Sequence, residues 1–310
     1  MTSGAGEDLL YFPAVETHLI RSKHVQQTFK IQVMQPGRKK KEAARFPVVY
    51  ATDGNWTFDM FKAISYLLQM SEHDAPPFIL VGIGYPSDSP HAGMLLRTRD
   101  FTAPPCMELG ENWSTWARDR FNFPYDGVLR PEEGTKDFHG GEDFRNFIGE
   151  ELIPFIDEKY ATVPGDRTYF GHSAGGYFGL FTLCTQSHLF KNYILSSPFV
   201  NYHGEGPGGI HCDNDEFGLQ LVRDFAASAK SLAGIQLYLS AGADEEFDPA
   251  VTHCRLTSSL LRLAQVMKDC AIPGLELMTE IFSGETHYTA WSVAFTHGVQ
   301  AMFGTRRGFR

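Results

Sequence analysis

Apolar and polar positions alternate along residues 15–22 and 27–35, the second stretch setting Phe29, Ile31 and Val33 against Lys30 and Gln32. A period of two sends successive side chains to opposite faces, so this pair reads as an antiparallel hairpin with one wet face. Residues 46–51 and 78–83 are unbroken apolar runs, the pattern of strands covered on both faces. Between them, residues 58–70 switch to helical spacing through Met60, Phe61, Ile64, Leu67 and Leu68. A hairpin followed by β-α-β predicts the start of a doubly wound, mostly parallel sheet. The alternation continues with a helix over 142–160, a strand over 167–170, a helix over 177–184 and a strand over 192–197. Next come a helix over 217–232, a strand over 235–240, a helix over 251–270, a strand over 275–282 and a closing helix over 289–303. Two stretches break the rhythm. Residues 85–140 and 198–216 are irregular and rich in proline, glycine and aromatic residues, and they read as lid-like insertions bordering a substrate pocket.

The 310 residues, 43% hydrophobic and 21% charged, suit one α/β domain over 1–310, with residues 1–14 expected to be flexible. A formal net charge of -10 argues against a surface that coats nucleic acid. The basic run Arg38-Lys39-Lys40-Lys41 reads as a solvated loop between strands. No apolar run approaches the ~20 residues of a membrane span, and the polar, acidic N-terminal residues do not resemble a signal peptide. Cys106, Cys184, Cys212, Cys254 and Cys270 are odd in number and scattered, which suggests thiols and a cytoplasmic protein. His203, His211 and Cys212 fit no ligand spacing, so neither a metal nor a cofactor is expected. A small-molecule substrate and a monomer or homodimer are.

The chemistry centres on Gly171-His172-Ser173-Ala174-Gly175, which fits Gly-x-Ser-x-Gly between a predicted strand and a predicted helix. A serine on so sharp a turn sits in strained backbone, and side chains two positions either side would clash; glycine at both removes the clash. The serine hydroxyl is a poor nucleophile near neutral pH and needs an imidazole to take its proton. Of 12 histidines, His287 follows the final predicted strand within a Gly-Glu-Thr-His turn. His297 and His253 fall in predicted helices and read as structural, and His172 reads as packing. The strand over 235–240 leads to Asp244, Glu245, Glu246 and Asp248, any of which could orient the imidazole. Nucleophile, acid and histidine thus fall in the chain order of an α/β-hydrolase, each after a strand. Oxyanion donors are expected at the Ala174 amide and in the Asp53-Gly54-Asn55 turn, at Gly54 and Asn55.

Several stretches carry a resemblance. Val48-Val49-Tyr50-Ala51-Thr52-Asp53-Gly54, Gly82-Ile83-Gly84-Tyr85-Pro86, Arg97-Thr98-Arg99-Asp100-Phe101-Thr102 and Glu151-Leu152-Ile153-Pro154 resemble the "putative esterase" family of α/β-hydrolases. With Gly171 to Gly176, Ser197-Pro198 and His287, the likeness runs from about 15 to 303. That family contains the siderophore esterases that open enterobactin and bacillibactin trilactones. The resemblance implies Ser173 as nucleophile and His287 as base, and its Gly-x-x-Glu pattern, matched by Gly242 to Glu245, implies Glu245 as acid. It places Arg97 and Arg99 beside the substrate, where a guanidinium could bind an anionic or catecholate acyl group. Trp113 and Tyr288 are the other expected substrate contacts. The implied activity is hydrolysis of a carboxylic ester through an acyl-enzyme, with acyl transfer or cyclisation as the alternative. The chain departs from the family pattern at Phe199, after Ser197-Pro198, and at an extra Ala103.

Overall fold

The structure, a computed structural model, describes residues 13–36, 44–71, 73–87, 93–106, 139–201, 216–228, 230–249 and 251–304. The expected flexible N-terminal residues up to 12, the basic run 38–41, most of the two lid-like segments, and with them Trp113, His203, His211 and Cys212 lie outside the described residues.

Eight strands form one sheet: β1 (Val15–Arg21), β2 (Thr28–Met34), β3 (Phe46–Ala51), β4 (Ile79–Gly84), β5 (Thr162–His172), β6 (Asn192–Ser196), β7 (Gln236–Gly242) and β8 (Glu276–Phe282). Their spatial order is β1-β2-β4-β3-β5-β6-β7-β8. The β1-β2 hairpin is antiparallel and joins β4 antiparallel, whereas every pair from β4 through β3 to β8 is parallel. This is the mixed α/β sheet that the alternation of runs and helical spacing predicts. Among the described residues no helix is long and apolar enough to cross a membrane.

Period-two geometry divides the core into two. In β3, Val48 and Tyr50 join one buried cluster while Val49 and Ala51 join the other. One face is covered by α1 (Gly54–Leu68) and α8 (Ala290–Phe303), whose Phe61 and Phe295 rings stack at 4.1 Å and 11°. The opposite face packs against α3 (Gly141–Asn146), α4 (Ile153–Lys159), α5 (Ala174–Gln186), α6 (Phe217–Ala227) and α7 (Leu256–Asp269).

Three local features differ from the sequence expectation. Gly54 and Asn55, read as a turn, are the first two residues of α1, and Asp53 precedes them with φ 59°. A helix, α2 (Met94–Phe101), occupies part of the stretch read as irregular; its Arg-Thr-Arg-Asp core carries no apolar stripe long enough to announce it. The helix over 142–160 is interrupted by a π-helical turn, Phe147–Leu152, just before Pro154. Proline has no N–H to donate, and its ring crowds the carbonyl four residues back, so a widened turn relieves the conflict.

Candidate active site

The parallel strands β3, β5, β6, β7 and β8 end on the same edge of the sheet, and the loops that follow them bring the predicted site residues together. Ser173 links β5 directly to α5 with φ 58° and ψ −120°, a conformation an L-residue holds only under constraint. The constraints are backbone bonds: Ser173 N–H donates to the Ser196 carbonyl at 2.9 Å, and the Ser173 carbonyl accepts from Tyr177 and Phe199, each at 3.0 Å. Glycines make the turn possible. A Cβ on Gly171 would lie 2.3 Å from the Gly175 carbonyl oxygen, and one on Gly175 would lie 2.7 Å from Thr52 Oγ1. The second contact also shows that the loop after β3 lies against the elbow.

His287 follows β8 and is nearly buried, and Glu245, in the 3₁₀ turn Ala243–Glu246 after β7, is fully buried. The two meet at 3.0 Å between His287 Nδ1 and Glu245 Oε2. A carboxylate accepts only, so Nδ1 carries the proton and Nε2 is left as the basic nitrogen. Two other carboxylates of the cluster are turned elsewhere: Asp244 is exposed, and Glu246 accepts from the backbone and hydroxyl of Ser258. Two contacts dock the acid loop to the histidine loop. Asp244 N–H donates to the Glu285 carbonyl, and a Cβ on Gly242 would fall 2.2 Å from that same oxygen.

His172, read as packing, does pack, but against the candidate base. Its ring lies 4.5 Å from the His287 ring and 4.3 Å from Trp291, and its Nδ1 is 2.9 Å from Ser196 Oγ. Burial, then the nearby His287 and Arg97, push the His172 pKa well below the ordinary value, so this imidazole is neutral. Through this contact the residue preceding Ser173 seats His287 beside the elbow. Ser173 and His287 are not hydrogen-bonded to each other here, and such bonds often tighten only when substrate is bound.

Ala174 is the first residue of α5, and the amides of a helix's first turn have no intrahelical acceptor, so its N–H is available to an oxyanion. Gly54 opens α1 in the same way. Asn55 works as a staple: its Oδ1 accepts from Tyr85 N–H at 2.6 Å, and its Nδ2 donates to the Tyr85 and Ser87 carbonyls. Its side chain ties the start of α1 to the end of β4 and is not offered to a ligand.

The two arginines part company, as residues two apart on a helix do. Arg97 forms a bidentate pair with Asp53, at 2.7 and 3.1 Å, and lies over the rings of Trp56 and Phe101. Burial alone would lower its pKa, but Asp53 overrides that and raises it above the ordinary value. Arg99, the other arginine expected beside the substrate, is turned into the body. It is 1% exposed, its Nε donates to Asp100 at 2.6 Å, and Tyr85 donates to the other Asp100 oxygen. A guanidinium inside the body must take a carboxylate with it, and Asp100 is that carboxylate. Tyr288 is 61% exposed, with its ring edge-on to His287 at 5.7 Å.

A serine elbow at the carboxyl edge of a mostly parallel sheet, with a buried histidine–carboxylate pair beside it, has the make-up of an α/β-hydrolase. Residues 116–302, well over half of the chain, match the family model described as putative esterase, and the chain belongs to that family. It is an ester-hydrolysing enzyme. Ferri-bacillibactin esterase BesA of Bacillus subtilis is 27% identical over 302 residues, spanning 96% of this chain and 93% of that protein. The siderophore triacetylfusarinine C esterase of Aspergillus fumigatus is 28% identical over 178 residues, 56% of this chain and 51% of its own. The crystal structure of the BES protein from Bacillus cereus has the same fold, with a TM-score of 0.72 at 21% identity, covering 98% of this chain and 99% of that one.

Proposed function

We propose that the protein hydrolyses siderophore-type esters, lactones included, through an acyl-enzyme on Ser173. In this reading His287 Nε2 takes the Ser173 proton as Oγ adds to the ester carbonyl, and Glu245 stabilises the imidazolium. The Ala174 amide, with a first-turn amide of α1 at Gly54, receives the negative charge on the carbonyl oxygen. Collapse of the tetrahedral intermediate breaks the bond to the leaving alkoxide, which takes the proton from His287 and departs as an alcohol. Water then adds to the acyl-enzyme with His287 again as base, releasing the acid and restoring the Ser173 hydroxyl.

The observation that carries this reading is the buried His287–Glu245 pair beside a strained elbow serine, in the chain order of the fold. The substrate class is supported by relatives named for siderophore esters that span most or half of this chain. Tyr288, exposed beside His287, and Arg97, at the elbow's flank, are the proposed described contacts for the acyl group. The chain is read as one α/β-hydrolase domain over 1–310, with 85–140 and 198–216 bordering the pocket. Its proposed location is the cytoplasm, where the thiols of Cys106, Cys184, Cys254 and Cys270 would be kept reduced; detection of the chain in a non-cytoplasmic cell fraction would refute that. The functional test is a panel of a catechol trilactone, a hydroxamate ester and a simple aryl ester, assayed with the enzyme and with Ser173→Ala. Preferred turnover of a siderophore ester, lost in the variant, is expected. Turnover of the aryl ester alone would remove the siderophore assignment.

A further inference from the structure

Three non-glycine residues with positive φ stand just past the carboxyl ends of adjacent parallel strands: Asp53 after β3, Ser173 after β5 and Ser197 after β6. Asp53 and Ser173 already belong to the site, as the partner of Arg97 and as the elbow. Backbone strain of this kind, on the order of 1–3 kcal/mol, survives only where the surroundings impose it. At Ser197, with φ 44°, the surroundings are plain: its N–H donates to the Ser240 carbonyl at 2.6 Å, and its side chain is wholly buried. The turned backbone aims Oγ at Glu245 Oε1, 2.6 Å away.

A hydroxyl has one proton to donate, and a carboxylate oxygen accepts it, so the Ser197 O–H points at Glu245 Oε1. Glu245 Oε1 thereby has two donors. It takes Ser197 Oγ and the Gly242 N–H at 2.8 Å, while Oε2 is left to His287. Hydrogen bonds to a charged acceptor are short and about twice as strong as neutral ones. Removing one donor from a buried carboxylate lets it rotate about its last bond and loosens the hydrogen-bond partner of the imidazole.

We infer that Ser197 is a positioning residue for the ester hydrolysis: it acts through Glu245, fixing the carboxylate so that Oε2 faces His287 Nδ1. The inference rests on the reading of Ser173, His287 and Glu245 given above. It assigns to Ser197 a role that neither its motif nor its burial states.

The test exploits the positive φ. Glycine adopts that backbone without strain and alanine does not, so Ser197→Gly and Ser197→Ala both lose the hydroxyl but differ in fold stability. Steady-state hydrolysis of 4-nitrophenyl butyrate is measured for both, for Ser173→Ala, for Glu245→Ala and for the double variant Ser197→Gly/Glu245→Ala, with a thermal melt of each. The expected result is a loss of kcat on the order of 10-fold in both Ser197 variants, the usual scale for a residue that orients a reacting group through another. KM stays within about 2-fold, and the glycine variant melts higher than the alanine variant although both lose kcat alike. In the Glu245→Ala background the further change Ser197→Gly alters kcat by less than about 2-fold, because the hydroxyl has nothing left to hold. Ser197→Gly with wild-type kcat, a loss that follows melting temperature across the two variants, or a full further loss on top of Glu245→Ala would each overturn the inference. If Ser173→Ala still turns over the ester, the mechanism itself fails and the role of Ser197 fails with it. If Ser173→Ala is inactive while Ser197→Gly is not impaired, the role of Ser197 alone fails.

Discussion

Replacing Gly171 with alanine puts a methyl carbon 2.3 Å from the Gly175 carbonyl oxygen and 2.6 Å from the Tyr169 hydroxyl. Contacts of this type essentially never fall below 3.0 Å, so something must yield by at least ~0.7 Å. Neither neighbour yields cheaply. Gly175 is backbone in the first turn of α5, and Tyr169 is fully buried and donates to that same carbonyl at 2.7 Å. Overpacking of this size costs about 3 kcal/mol, which lowers the melting temperature by roughly 6 °C in a chain of this size. The larger effect is on chemistry. The displaced segment carries Ser173 and the Ala174 amide, and a misplacement of ~1 Å at a reacting centre costs on the order of 100-fold in kcat. Gly165→Ala is the control: with φ 78° it is also strained, at about 1 kcal/mol, but nothing lies within 4 Å of its Cβ position. Thermal melts and steady-state kinetics on an aryl ester decide. A Gly171→Ala enzyme that keeps kcat within about 3-fold of wild type, or loses no more than Gly165→Ala, would refute the steric account of the elbow.

Glu245→Ala should lower kcat by about 100-fold or more, while Asp244→Ala and Glu246→Ala stay within about 2-fold, since Glu245 is the carboxylate bonded to the imidazole; equal losses in all three would contradict the assignment. His172 is neutral when folded and has its ordinary pKa when unfolded, so its contribution to stability is present above about pH 6.5 and is lost as the pH falls below that. Melting of wild type and His172→Phe across pH 8 to 5 should therefore show the wild type losing more stability on acidification, and parallel curves would reject it. Arg97→Ala leaves Asp53 buried and unpaired, so it should destabilise by about 3 kcal/mol, measurable by urea unfolding; a change under about 1 kcal/mol would mean that the pair is not structural.

Much of the fold is legible in the pattern of positions. Unbroken apolar runs mark β3 and β4, and alternation marks β2, because both follow from which faces a strand must bury. Helix α2 was not legible, since its Arg-Thr-Arg-Asp segment is buried through paired charges and hydroxyls where a periodicity search looks for apolar residues. In the candidate site, Ser173 and His287 could be read from a local motif and from placement after a strand. The acid could be narrowed only to a run of neighbouring carboxylates, because the choice depends on a turn that buries Glu245 and exposes Asp244. His172 stacking on His287, Ser197 bonding Glu245 and Arg99 sinking beneath the surface are contacts between loops or faces that sequence separation does not encode.

Peptide-level mass spectrometry after treatment with a fluorophosphonate probe asks whether Ser173 is the nucleophile. One phosphonyl adduct per chain is expected, on Ser173, with ester turnover lost in step with labelling and no adduct in Ser173→Ala. Stoichiometric labelling at another serine, or full turnover by an enzyme labelled at Ser173, would contradict it.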